Sequence, residues 1–86
     1  MDKKAKIRSF ILRASKQKNI EDHDDIFARG YVNSLFAMQL VMYLENEFSL
    51  QVENDDLELE NFQSIDAIAQ FVERKQLTAL GLEETR

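Results

Sequence analysis

The chain has 86 residues, 44% of them hydrophobic, which is enough for one domain with a thin core. It has no cysteine and one histidine, His23, which excludes a disulfide framework, a thiolate metal site and any site built on two imidazoles. The net charge of −5 is unevenly placed: residues 1–18 hold seven cations and one acid, the rest four cations and fifteen acids, a distribution that opposes nucleic-acid binding and favours basic partners.

Proline is absent and there are two glycines, Gly30 and Gly81, too few for a sandwich of tight turns. The composition predicts an all-α fold. No apolar run approaches the roughly 20 residues that span a bilayer, and no secretory pattern follows the N-terminal lysines. A cytoplasmic protein that contacts neither membrane nor nucleic acid is expected.

The first periodic segment is 3–17. Ile7, Phe10, Ile11 and Ala14 share one helical face, Asp2 is placed to cap the start, and Lys3, Lys6, Arg13 and Lys16 fall mostly on the other faces. Residues 18–33 read as a long loop: Asn19, Asp22, Asp24 and Asp25 disfavour helix, Ile26 and Phe27 anchor it, and Gly30 gives a permissive backbone position. A loop of this length in a small domain is often functional.

The strongest helix is 34–48. Asn33 is a good N-cap, which leaves the hydroxyl of Ser34, at the first helical position, without capping duty. At about 100° per residue the helix shows two apolar stripes. Ala37, Leu40, Val41, Leu44 and Phe48 form one, assigned to the core. Leu35, Met38 and Met42 form the other, which is either buried in a central helix or exposed for docking a partner. Glu45 borders this second stripe and Glu47 follows.

Residues 49–63 form a second loop with the acids Glu53, Asp55, Asp56, Glu58 and Glu60 and a short helical turn around Asp55–Leu59. Neither this run nor Asp22–Asp25 has the glycine and acid spacing of a calcium loop, so both read as solvated faces and no metal site is expected. The last helix is 64–76, with Ser64 as N-cap, Asp66 in the first turn, a core face of Ile65, Ile68, Ala69 and Val72 to which Phe71 adds, and Arg74 and Lys75 in the last turn. Residues 77–86 look frayed. The domain is drawn over 1–78 with a disordered tail at 79–86.

Phosphate-binding glycine loops, nucleophile elbows and zinc spacings are missing, so an enzyme is disfavoured. A helix N-terminus favours a negative group, so a phosphate ester on Ser34 would sit in a favourable field.

The stretch Asp25-Ile26-Phe27-Ala28-Arg29-Gly30-Tyr31-Val32-Asn33-Ser34-Leu35 resembles the acyl carrier protein family. The likeness continues through Gln39-Leu40-Val41, Leu44-Glu45-Asn46-Glu47-Phe48 and Asn61-Phe62 into the last helix, over roughly residues 5–75. It implies a four-helix carrier bundle, three helices longer and one short. It implies that a phosphopantetheinyl transferase moves 4′-phosphopantetheine from coenzyme A to Ser34, and that the thiol of that arm bears acyl groups as thioesters. It implies partners that load, modify and transfer acyl groups, docking with basic faces on Asn33, Leu35, Met38, Met42 and Glu45 of a monomer. Asn33 departs from the aspartate usual in the family, which keeps the cap but removes a charge where the transferase docks. The run from Asn33 to Val41 is most similar to discrete carriers of polyketide and hybrid peptide pathways, including those for unusual malonyl-type extender units. An unmodified interaction module and a carrier of fatty-acid synthesis are the alternatives.

Overall fold

The computed structural model describes residues 2–79. Among them the chain forms α1 (Lys3–Ser15), α2 (Ser34–Phe48), a 3-10 turn (Asn54–Asp56), α3 (Leu59–Phe62) and α4 (Ile65–Ala79), with no strand. This is the expected all-helical bundle of three long helices and one short one. No described helix is long and apolar enough to cross a membrane.

The core lies where α1, α2 and α4 meet. Ile7 and Ile11 enter from α1, Leu40 and Leu44 from α2, and Ile65, Ile68 and Val72 from α4, all fully buried. The first loop adds Ile20 and Ile26, and Phe71 fills the space against Phe62, their rings edge to face at 5.1 Å.

The buried stripe of α2 differs from the predicted one. Phe36 joins Leu40 and Leu44 inside, while Ala37, Val41 and Phe48 are half-buried. The cause is an aromatic layer between α1 and α2. Phe10 stacks on Tyr43 at 4.3 Å and meets Phe36 at 5.6 Å, and Phe48 stands edge-on to Tyr43. These rings turn α2 toward α1, which leaves Ala37 and Val41 on the side facing α3. Burial, and secondarily the charge of Glu47, hold the Tyr43 hydroxyl above its ordinary pKa, and that hydroxyl donates to the Lys6 carbonyl at 3.3 Å.

Four local expectations change. α1 stops at Ser15 because Lys16 takes a left-handed backbone, φ 61°, with its N–H on the Leu12 carbonyl. Asp2 caps α1 only through its backbone position, since its side chain makes no cap bond, and Ala14 is exposed. The expected turn at Asp55–Leu59 is split into the 3-10 turn and α3, with Leu57 and Glu58 between them. Finally, α4 is capped at Ser64, whose Oγ accepts the Ala67 N–H at 3.0 Å, but continues to Ala79. Arg74 and Lys75 are therefore not in its last turn, and the rest of the expected tail, 80–86, lies outside the described residues.

The basic end of the sequence is folded onto the acidic remainder. Lys4 Nζ pairs with Asp66 at 2.8 Å and Asp22 at 3.7 Å, Lys6 pairs with Glu47 at 2.6 Å, and Arg8 pairs with Asp22 and donates to the Ile20 carbonyl. The hydrogen bond and charge of Glu47 hold Lys6 above its usual pKa. Each such solvent-screened pair is weak alone, but together they tie α1 to the first loop, α2 and α4.

Candidate functional site

The loop of residues 16–33 fixes the start of α2. Asp24 is buried, and its Oδ2 accepts the Glu21 N–H while Oδ1 faces Arg29 at 3.5 Å. Asp25 Oδ1 accepts the N–H groups of Phe27 and Ala28, closing a turn. Gly30 follows with φ +77°, a left-handed conformation that favours glycine although a Cβ there would meet open space. The loop is bolted to the start of α4 by Ile26 N–H on the Gln63 carbonyl at 2.8 Å and Asp66 N–H on the Asp22 carbonyl at 3.0 Å. The acids of 22–25, expected as a solvated face, are thus structural, because each bonds either a backbone donor or a cation that the loop must otherwise leave unsatisfied.

Asn33 caps α2 as predicted, its Oδ1 accepting the Phe36 N–H at 3.1 Å. Ser34 is exposed, and its hydroxyl makes no hydrogen bond among the described residues. No acid occupies the first turn of α2. The Ser34 and Leu35 N–H groups, like all helix-initial donors, lack intrahelical acceptors, and the helix dipole is positive here. An accessible hydroxyl in that field fits a phosphodiester, with Ser34 as the oxygen that would hold it and the α2 N-terminus as its electrostatic support.

A groove of about 410 Å³ begins at Ser34. Ala37, Met38, Val41 and Met42 of α2 form one wall. Leu57, Glu58 and Leu59 form the other, with Phe27 and Phe62 also lining it. The lining is almost wholly apolar, and Leu57 and Leu59 are more than half exposed. Its α2 wall includes Ala37 and Val41, which the sequence assigned to the core. The signal that corrects this was the spacing of Phe36, Leu40 and Leu44 at four-residue intervals.

Leu35, Met38 and Met42 are 68%, 68% and 59% exposed, so the second stripe of α2 lies on the surface beside Ser34. Glu45 is half-buried, and its Oε2 accepts the Val52 N–H at 2.9 Å. Glu47 is held by Lys6. Both acids of α2 thus have intramolecular partners. Asp56, expected as part of a solvated run, accepts from the Glu53 N–H and pairs with Lys75 at 2.8 Å. No group of carboxylates and imidazoles among the described residues has metal-site geometry.

With this geometry in place, the comparisons with known proteins decide the family. The model of the phosphopantetheine attachment site family matches residues 5–72. The chain belongs to that family. It is a phosphopantetheine-bearing carrier domain, which is non-catalytic in itself and whose prosthetic group is 4′-phosphopantetheine. Its partners are, in general terms, a phosphopantetheinyl transferase and the enzymes of the pathway the carrier serves. None of the curated proteins compared with this carrier domain matches it.

Proposed function

We propose that Ser34 is the residue to which the arm is attached, and that the carrier presents acyl groups to pathway enzymes across the exposed face of α2. The observation that carries this reading is the exposed, unbonded Ser34 hydroxyl at the N-terminus of α2, at the head of an apolar groove. In the transfer, Ser34 Oγ attacks the β-phosphorus of coenzyme A and its proton passes to a base of the transferase. The pyrophosphate bond breaks, and adenosine 3′,5′-bisphosphate leaves. When bound, the arm supplies the thiol that this cysteine-free chain lacks. The groove suits the apolar part of a cargo.

The docking surface in this reading is Asn33, Leu35, Met38 and Met42, with Glu45 at its edge. Three large apolar side chains exposed together are the kind of centre a partner covers. Methionines adapt to more than one partner, as a carrier passed between enzymes requires. Glu45 serves docking in addition to holding Val52, and the exposed acids Glu58 and Glu60 extend the rim that meets basic partner faces. The pathway we favour is polyketide or hybrid peptide–polyketide biosynthesis, with a malonyl-type extender unit as cargo, on the likeness of the Asn33–Val41 run to carriers of that kind.

The test is intact mass after incubation with coenzyme A and several phosphopantetheinyl transferases. The wild type gains one phosphopantetheine and Ser34→Ala gains none while keeping its helical circular dichroism. Full modification of Ser34→Ala would overturn the assignment.

A further inference from the structure

The outer wall of the groove, residues 57–59, is anchored at both ends to neighbouring residues of α4. Before the wall, Asp56 Oδ2 takes the Lys75 ammonium at 2.8 Å and the Glu53 N–H at 2.9 Å. Beyond it, Asn61 donates through Nδ2 to the Asp56 carbonyl at 2.8 Å, which closes the arch, and its Oδ1 accepts from Arg74 at 3.0 Å. Lys75 is only 18% exposed, so this cation is partly withdrawn from water to make the contact. The wall itself has little apolar hold on the fold, since Leu57 and Leu59 are 55% and 59% exposed. On the α2 side the nearest polar tie, Glu45 to Val52, lies upstream of the 3-10 turn.

A segment with few buried contacts opens locally at low cost unless polar anchors hold it. Here those anchors come from α4. Their release would let Leu57 and Leu59 move away from Met38, Val41 and Met42, and a chain lying between them would lose contact on one side. Building on the carrier reading above, we propose that Lys75 and Arg74 are positioning residues that latch the wall and set the chain length of acyl group the groove shelters. A short acyl group does not reach the wall and is indifferent to the latch. A longer one depends on it.

The test loads the full chain with acetyl and octanoyl groups from their coenzyme A thioesters, using a transferase that accepts both, with attachment confirmed by intact mass. Hydroxylamine then releases each group: its nitrogen attacks the thioester carbonyl, the C–S bond breaks, and the hydroxamate and free thiol form. The protection factor is the slowing of octanoyl release relative to acetyl release, corrected by the same ratio on free pantetheine. The wild type shows protection, and its octanoyl form melts higher than its acetyl form. In Lys75→Met the protection falls about two- to fivefold, the scale of a partly exposed charge pair. The acetyl rate does not move, and Lys75→Arg retains protection. Arg74→Met gives a smaller loss in the same direction and replaces Lys75→Met as the deciding variant should the latter not fold. Equal protection in wild type and latch variants, or no protection in the wild type, overturns the latch while leaving the carrier reading intact. Failure to load Ser34 removes both.

Discussion

The two loops that flank α2 carry similar acidic sequences and are built in opposite ways. The first, residues 16–33, sends Ile20, Asp24 and Ile26 into the interior and shares backbone hydrogen bonds with the start of α4. The second, residues 49–58, buries no residue and is held from outside by the side chains of Glu45 and Lys75. The difference lies in where the apolar residues fall among the acids. In the first loop isoleucines are placed to reach the core, and the carboxylates fold back on donors within reach. In the second, Leu50 and Val52 pack only partly against the core, Leu57 stays on the surface, and Asp56 meets Lys75 on another helix. The first loop makes a fixed platform for Ser34, while the second makes a wall whose position depends on polar contacts.

The largest expected effect comes from emptying the platform. Ile26 is fully buried, and its N–H ties the loop to α4. Ile26→Ala should cost about 2–5 kcal/mol through lost burial and the cavity left behind. For a domain of this size, that lowers the thermal midpoint by roughly 10 °C or more. Calorimetry of the apo protein checks it. A loss below 1 kcal/mol would show that the first loop is no better seated than the second.

An intermediate effect is expected in the wall. Burial pushes the Asp56 carboxyl up, but the Lys75 hydrogen bond, the Glu53 N–H and the charges of Lys75 and Arg74 together hold it below its ordinary value. A carboxyl lowered on folding adds stability that is present above its unfolded pKa of about 3.9 and is lost as pH falls through the folded value. Asp56→Asn should therefore destabilise the protein at pH 7 by about 0.5–1 kcal/mol and flatten the acid limb of its melting curve below about pH 4. Melting midpoints of both proteins from pH 7 to pH 2.5 decide it. Parallel curves would mean that Asp56 contributes no linked proton.

Of this contrast the sequence showed the Ile26 anchor of the first loop but read both acidic runs alike, and the residues that were misread share a physical cause. The long helices, the caps at Asn33 and Ser64 and the second apolar stripe of α2 follow from period and capping chemistry, which are local, whereas the exposure of that stripe was left open and is settled by the fold. Phe36 was missed because its burial is decided by Phe10 and Tyr43, one of them on another helix. Lys6 was placed on an outer face, and Lys4 and Arg8 were counted only in the basic charge of the first segment, because their partners, Glu47, Asp66 and Asp22, are distant in sequence. Asp56 and Lys75 were each placed on the correct segment but given local roles, solvation and helix dipole, whereas their contact joins two elements. For Ser34 the helix start was readable from Asn33, but the groove beside it depends on the rotation of α2, which the aromatic layer sets.

The smallest effect on stability should come at the surface that joins the two regions. Met42 borders both the groove and a second depression lined by Phe10, Arg13 and Tyr43, and it is 59% exposed. Were it core, truncation to alanine would cost about 2–5 kcal/mol. At its observed exposure the change should stay within about ±0.5 kcal/mol, a shift in midpoint of less than about 4 °C. Binding is a different matter. An exposed methionine becomes buried only when a partner covers it, so its contribution appears on docking and in dissociation more than in association. Met42→Ala should therefore leave the melt almost unchanged while lowering kcat/KM for phosphopantetheine transfer through a higher KM. Glu58→Lys, on the exposed rim, should instead slow encounter with a basic-faced transferase and make the rate less sensitive to salt. If Met42→Ala melts several degrees lower with transfer otherwise normal, the side chain works for the fold rather than for the partner, and the docking surface would have to be redrawn around Leu35 and Met38.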